Sequence, residues 1–203
     1  MSDLTLFHGI AVVIDDEVLD KSANIGIIQA QIEREGCHVL QLAELPSEPQ
    51  LANLGSASFF IVDWNLKGSA FNDEFGLGGV RIPERLKRQD IDEMLQFLKR
   101  LQKIRFAPVF IFTNESIDIV QSYLKDDPDL NGNKDPLHIL VETKASVIAK
   151  GVFNVLTAWI DKVPSAYVLK QWEAEYGRAK NELFLDFYSE SVYWPIILKR
   201  TFD

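Results

Sequence analysis

The sequence predicts an α/β protein with a doubly wound, five-stranded parallel sheet and a helical extension at its C-terminal end. Short, uninterrupted apolar segments recur along the first part of the chain, as strands that are buried on both faces require. Segments with apolar residues at every third or fourth position lie between them, which indicates amphipathic helices. Because alternating strands and helices favour a parallel sheet, we expect a sheet domain over 1–163 and a helical extension over 164–203.

The strands are predicted from apolar runs at positions 10–14, 38–42, 59–63, 108–112 and 138–142. Between the first two runs, Ile25, Ile28 and Ile32 define a helix over 22–35. Gly36 follows this helix and is expected to end it as a C-terminal cap. A weak helix of about six residues is expected before the third strand.

The segment 67–89 is rich in glycine and charged residues and is expected to be a long loop with at most one helical turn. A helix is predicted to begin at Asp90, because Asp90 and Glu93 have the spacing of a capping box. After the fifth strand, an apolar stripe predicts one continuous helix over 145–161, which ends before Pro164.

The extension that follows carries a second apolar stripe at helical spacing, composed of Leu169, Trp172, Tyr176, Ala179, Leu183 and Phe187. Pro195 is expected to open a last short helix. Side chains of this size are costly to leave in water, so the stripe must cover the sheet domain or another chain. We expect a homodimer to use part of it.

Composition limits the class of function. Thirty acidic residues against 21 basic ones give a formal charge of −9, which disfavours non-specific nucleic-acid binding. The extension is short for a DNA-reading domain. The chain lacks the start of a signal peptide and a long apolar segment, and its one cysteine, Cys37, allows no internal disulfide. A cytoplasmic protein without a membrane anchor is therefore expected.

Polar side chains directly follow several predicted strands: Asp15, Asp16, Asp63, Thr113 and Lys144. Since parallel strands end at a common edge of the sheet, these residues are expected to converge. Three carboxylates repel one another unless a divalent cation joins them, and oxygen ligands of this kind suit Mg²⁺. The chemistry that fits is phosphoryl transfer to a carboxylate, with Lys144 and Thr113 contacting phosphoryl oxygens.

Four segments together resemble the receiver domains of two-component response regulators: VVIDDE at 12–17, IVDWNL at 61–66, FIFTN at 110–114 and VETK at 141–144. The resemblance covers about residues 8–162 and implies a flavodoxin-like fold. It also implies a partner histidine kinase or phosphotransfer protein that donates the phosphoryl group, and a downstream protein partner that recognises the modified domain. The activity implied is limited to self-phosphorylation and self-dephosphorylation.

The resemblance also implies a role for each site residue. Asp63 would be the phosphoacceptor, Thr113 the switch hydroxyl and Lys144 the phosphate-binding lysine. The implied Mg²⁺ ligands are Asp15, Asp16, Asp63 and the backbone carbonyl of Asn65.

The chain departs from the family pattern at several positions. Ala145 follows Lys144 where the family has a proline, and Val141 stands where the family has an aromatic switch residue. The interval between Asp63 and Thr113 is longer than the family uses, which places an insertion at about 67–89. These departures favour an atypical receiver.

Two other functions are compatible with parts of this pattern. A degenerate receiver would keep the fold but act as an unphosphorylated interaction module. A phosphatase of the haloacid dehalogenase type also uses Asp, Thr and Lys at strand ends, but its acidic pair comes last, and Asn65 replaces its second carboxylate acid/base. The acidic turn that starts at Asp127 resembles the beginning of a calcium loop, but its twelfth position is His138, so a plain turn is expected.

Overall fold

The apolar segments of the sequence form parallel strands in the computed structural model, which describes residues 4–66, 84–104, 106–130 and 139–202. The strands are β1 (Ile10–Ile14), β2 (His38–Leu42), β3 (Ala57–Val62), β4 (Val109–Thr113) and β5 (Ile139–Thr143). They pair in the order β2-β1-β3-β4-β5, and every pair is parallel. This is the doubly wound, flavodoxin-like order that the sequence predicted.

The helices that connect the strands are α1 (Asn24–Arg34), α2 (Glu48–Ala52), α3 (Glu84–Ile104), α4 (Ile117–Asp126), α5 (Lys144–Lys150) and α6 (Val152–Ile160). A short 3₁₀ turn, Leu4–Phe7, precedes β1. The weak helix expected before β3 is α2, and a capping box formed by Ser47 and Gln50 starts it. Together with the sheet, these elements make up the first of two compact units, Met1–Lys162.

The core lies on both faces of the sheet, because adjacent strand residues point to opposite sides. On one face, Val12 and Phe60 belong to a cluster with Phe97 and Leu98 of α3 and Val120 of α4. On the other face, α1 contacts α5 and α6. An aromatic group also packs there, with Phe110 making edge contacts to Phe7, Phe59 and Trp159. Every residue of β3 is buried, as the apolar run at 59–62 predicted for most of the strand.

The helix before β4 begins earlier than predicted. It starts at Glu84 and runs to Ile104, so Asp90 lies inside the helix and is not its N-terminal cap. The sequence from 84 to 89, ERLKRQ, consists of strong helix formers, which extend the helix past the capping pattern. Part of the predicted loop at 67–89 is therefore helical, and the remainder of the insertion, 67–83, lies outside the described residues.

The continuous helix predicted over 145–161 is wrong, because the chain breaks between α5 and α6 at Gly151. Gly151 has φ +86° and ψ 135°, a conformation that side chains with a Cβ avoid. The break leaves backbone groups on both sides of it without helical partners. The side-chain amide of Gln31 in α1 bonds to two of these groups. Its Nε2 donates to the Ile148 carbonyl at 3.2 Å, and its Oε1 accepts from the Val152 N–H at 3.0 Å.

The contacts of Gln31 predict a loss of stability when its amide is removed. We expect Gln31→Leu to lower the free energy of unfolding by about 1–3 kcal/mol, because two backbone groups lose their partners. Urea denaturation followed by circular dichroism measures the change. Gln96→Leu, at an exposed position of α3, is the control and should have little effect. Equal stabilities of the two variants would contradict the capping role.

The second compact unit, Val163–Asp203, is helical. Its helices are α7 (Pro164–Glu190) and α8 (Trp194–Phe202), and each has proline in its first turn. The last short helix predicted at Pro195 is therefore confirmed. Within the unit, the rings of Phe187 and Trp194 stack at a centroid distance of 5.4 Å. In the described part of the chain, no helix combines the length and the apolar character needed to cross a bilayer.

Candidate functional site

The carboxyl ends of β1, β3, β4 and β5 lie side by side at one edge of the sheet, and the predicted site residues follow them. Ile14 pairs with Val62, so the next residues, Asp15 and Asp63, leave the sheet at the same level. The Asp63 N–H donates to the Ile14 carbonyl at 2.9 Å, which fixes this register. The strand order therefore brings together two carboxylates that are far apart in the sequence.

Three carboxylates form one cluster at this edge. Side-chain oxygens of Asp15, Asp16 and Asp63 lie within 4.8 Å of one another. Asp15 and Asp63 are buried and Asp16 is half-buried. Short local hydrogen bonds hold the buried pair: Asp15 Oδ1 accepts from the Glu17 N–H at 2.9 Å, and Asp63 Oδ1 accepts from the Asn65 N–H at 3.3 Å.

Lys144 extends from β5 into this cluster. Its Nζ donates to Asp63 Oδ2 at 2.7 Å and lies 2.7 Å from Asp15 Oδ2, while its side chain is only 1% exposed. Lys144 is also the first residue of α5, where Thr143 Oγ1 caps the helix by accepting from the Ser146 N–H. Within the described residues all peptide bonds are trans, including the bond from Lys144 to Ala145. The lysine thus contacts both buried carboxylates without the proline of the family pattern.

Thr113 and Asn65 lie at the same edge and are connected through a residue that sequence analysis missed. Thr113 is fully buried at the end of β4, level with Thr143. Its Oγ1 accepts from the Glu115 N–H at 3.0 Å, and Glu115 Oε2 accepts from Asn65 Nδ2 at 2.9 Å. Glu115 therefore joins the loop after β4 to the loop after β3. Its position in the sequence could have identified Glu115, because it is an acidic residue only two positions after Thr113, in a loop at this edge of the sheet.

The charges of the cluster are strongly coupled. Burial raises the pKa of Asp15, and the neighbouring Asp63 charge adds to this rise, although attraction by Lys144 opposes it. Burial alone would lower the pKa of Lys144, but the charges of Asp63 and Asp15 outweigh it and raise this pKa above its ordinary value. Lys144 is therefore held as a cation. The ionised form of Asp15, in contrast, is less favourable in the folded protein than in water.

The residues fit a divalent cation. Asp15 Oδ2 is buried, and the Lys144 ammonium lies 2.7 Å from it. A carboxylate oxygen has two lone pairs, so Asp15 keeps the capacity to bind a cation beside the lysine. When ionised, the three carboxylates carry two more negative charges than Lys144 offsets. A set of carboxylate oxygens with this excess charge suits a hard divalent cation.

The electrostatic cost at Asp15 predicts how stability changes with pH and with Mg²⁺. Because the folded state raises the pKa of Asp15, its contribution to stability is present at low pH and is lost as the pH rises through the folded pKa. At pH 7 in EDTA, we expect Asp15→Asn to raise the free energy of unfolding. Mg²⁺ should stabilise the wild-type chain more than this variant, because a ligand is lost.

Urea denaturation at pH 7, in EDTA and in MgCl₂, checks this prediction. Asp20→Asn is the matched control, because hydrogen bonds from Ser22 lower the pKa of this exposed carboxyl. That shift has the opposite sign, so the control should not gain stability at pH 7. A less stable Asp15→Asn variant in EDTA, or an undiminished Mg²⁺ response, would contradict the prediction.

Comparisons with protein-family models, with curated proteins and with solved structures find no match to this chain. The functional argument therefore depends on the fold and on the geometry of this edge of the sheet.

Proposed function

We propose that the protein is a receiver that accepts a phosphoryl group on Asp63 in a Mg²⁺-dependent reaction. The observation that carries the proposal is the contact of Lys144 Nζ with both Asp63 and Asp15, inside a cluster of three carboxylates. A buried carboxylate held by a lysine can serve as a nucleophile whose phosphorylated form the lysine then stabilises. The donor is a histidine kinase or a phosphotransfer protein.

In the proposed reaction, an Asp63 carboxylate oxygen attacks phosphorus in line with the bond to the donor nitrogen. The new P–O bond forms as the P–N bond breaks, and the nitrogen keeps the electron pair and takes up a proton. Lys144 then binds a phosphoryl oxygen as a point charge, and the Thr113 hydroxyl donates to another. The phosphoryl group is thereby held as an acyl phosphate on Asp63.

Asp15, Asp16, Asp63 and the backbone carbonyl of Asn65 would hold the Mg²⁺ ion. When bound, the ion supplies positive charge that offsets the charge on the transferring phosphoryl oxygens. Asp15 would contribute through its buried Oδ2, because Lys144 leaves one lone pair of this oxygen unused. Lys144 remains necessary beside the ion, because it neutralises part of the same cluster.

Signalling through a protein partner is the second part of the proposal, and the contacts of Trp64 support it. Trp64 directly follows Asp63, is buried, and stacks on Tyr123 of α4 at a centroid distance of 6.1 Å. Asn65 contacts Glu115 just before the same helix. A change at Asp63 can therefore affect α4 through Trp64 and through Asn65. Ile119 and Tyr123 of α4 are exposed and could contact a partner.

The test is to incubate the whole chain with Mg²⁺ and phosphoramidate and to measure its intact mass. A phosphoryl adduct that appears with Mg²⁺, is absent in EDTA and is lost on treatment with hydroxylamine, which cleaves acyl phosphates, is the expected result. A chain that binds Mg²⁺ but never gains the adduct would instead be a degenerate receiver. Such a chain would act as an unphosphorylated interaction module.

A further inference from the structure

Helix α7 presents large apolar side chains to solvent in the second compact unit. Trp172 is 66% exposed and Tyr176 is 80% exposed, and Leu169 and Leu183 are also exposed. Monomeric proteins rarely leave a contiguous group of this kind in water. The sequence predicted that this stripe is covered, and within the helical unit these side chains are exposed.

Five exposed residues of α7 follow the spacing of a coiled-coil seam, while Phe184 and Leu185 are exposed outside it. Intervals of three, four, three and four residues separate its members, which we call the α7 seam: Leu169, Trp172, Tyr176, Ala179 and Leu183. In heptad notation these are alternating a and d positions, which face a partner helix. The buried residues of α7, Ala166 and Lys170, lie roughly 100° or more around the helix axis from the seam's centre. The seam is therefore distinct from the buried face.

Charged residues flank the seam in a pattern that fits a second copy of the same helix. Glu175 is at a g position and Lys180 is at the following e position, and both are exposed. In a parallel pair, g of one helix faces the next e of the other, so Glu175 of each chain meets Lys180 of its partner. Within one helix Glu175 also pairs with Arg178, but exposed pairs of this kind contribute little.

An antiparallel pair of α7 helices would place the flanking charges less favourably. It would place Glu175 against Glu182 of the other copy, because g faces g when two helices run in opposite directions. On the opposite flank it would place Glu173 against Lys180, so repulsive and attractive contacts would be equal in number. The parallel arrangement has the attractive contacts without that repulsion. Asp186 occupies the next d position and ends the seam.

We infer that two copies of this chain associate as a parallel dimer through the α7 seam. The occupant of the exposed surface is thus a second copy of the same helix, aligned in register so that Tyr176 packs against Tyr176 and Ala179 against Ala179. This inference does not depend on phosphorylation of Asp63. The seam spans about 22 Å of helix, at 1.5 Å per residue.

Sedimentation velocity of the full chain over a range of concentrations tests the dimer. We expect the wild-type chain to sediment as a dimer that dissociates on dilution, and Tyr176→Glu to weaken association at least about a hundredfold by placing charge in the seam. The matched control is Tyr188→Glu, because Tyr188 is 70% exposed on the same helix but lies roughly 140° away from the seam. This control should leave the dimer unchanged.

A wild-type chain that stays monomeric up to about 100 µM, or equal effects of the two tyrosine changes, would overturn the proposal. Both tyrosines are exposed, so neither substitution removes a core contact. The comparison therefore separates the seam from general effects of added charge.

Two further variants test the orientation. Glu175→Lys should weaken the dimer about tenfold, and the double change Glu175→Lys/Lys180→Glu should restore it, because the g–e contacts are exchanged. Ala179→Cys should form an intermolecular disulfide on mild oxidation, since d faces d in a parallel pair. The wild-type chain is the control, because Cys37 is buried. A Glu175→Lys dimer that is tighter than wild type, or no crosslink from Ala179→Cys, would overturn the parallel arrangement.

Discussion

Asp63→Asn is expected to abolish the phosphoryl adduct formed with Mg²⁺ and phosphoramidate. An amide oxygen is a poor nucleophile towards phosphorus, so labelling should fall by at least about a hundredfold. The side chain keeps its shape, and Lys144 keeps its contact with Asp15, so the fold should remain. Intact-mass spectrometry measures the loss, and circular dichroism confirms that the variant is folded.

The control for Asp63→Asn is Asp92→Asn, which makes the same chemical change at an exposed position on α3. Its labelling should equal that of the wild-type chain. Peptide mapping of the wild-type adduct should locate the phosphoryl group between residues 57 and 66. Persistent labelling of Asp63→Asn would show that another residue accepts the group and would remove the basis of the proposed function.

Lys144→Met is expected to lower the free energy of unfolding by about 3–5 kcal/mol in EDTA at pH 7, the largest stability effect that we predict. The substitution keeps an apolar stem but leaves the buried carboxylates of Asp15 and Asp63 without their cation. Removal of one partner from a buried ion pair costs this much because the remaining charge stays desolvated. Urea denaturation measures the difference.

Lys150→Met is the matched control, since Lys150 lies on the same helix, is exposed, and pairs with Glu142 at 3.4 Å. The loss for this surface pair should be at most about 1 kcal/mol. Added Mg²⁺ should recover part of the stability of Lys144→Met, because a cation can replace the missing charge in the cluster. Equal losses for the two lysine variants would contradict the role assigned to Lys144.

The pH dependence of the Lys144 contribution follows from the direction of its pKa shift. Because the folded state raises this pKa, the stabilisation is fully present below the ordinary value of 10.5 and is lost as the pH rises through the folded pKa. The charge of Lys144 should therefore be constant near neutral pH. The difference in stability between the wild-type chain and Lys144→Met should shrink in strongly alkaline solution, where this charge is lost.

Much of the fold could be predicted from the sequence because the signals are local. A strand buried on both faces, such as Ala57–Val62, must be largely apolar, so its apolar run at 59–62 identifies it. Parallel strands end at one edge, so the polar residues after β1, β3, β4 and β5 could be expected to lie close together. The convergence of Asp15, Asp63 and Lys144 could be predicted for the same reason, and the structure confirms that they are in contact.

Helix boundaries were less predictable because competing signals have similar energies. At Asp90 the capping pattern was outweighed by the helix-forming residues that precede it, and α3 begins at Glu84. At Gly151 the apolar stripe continued across a break in the backbone. That break depends on Gln31, which is distant in sequence and supplies the missing hydrogen bonds.

By itself, the sequence determined the strands, the sheet class and the carboxylates at the strand ends, since each is encoded by neighbouring residues. The tertiary structure decided how those residues act on one another. It placed Lys144 between Asp63 and Asp15, joined Asn65 to Glu115, and buried Asp15 Oδ2 beside the lysine. These features depend on packing between distant segments, where burial and Coulomb interactions are set by three-dimensional position and cannot be read from local spacing.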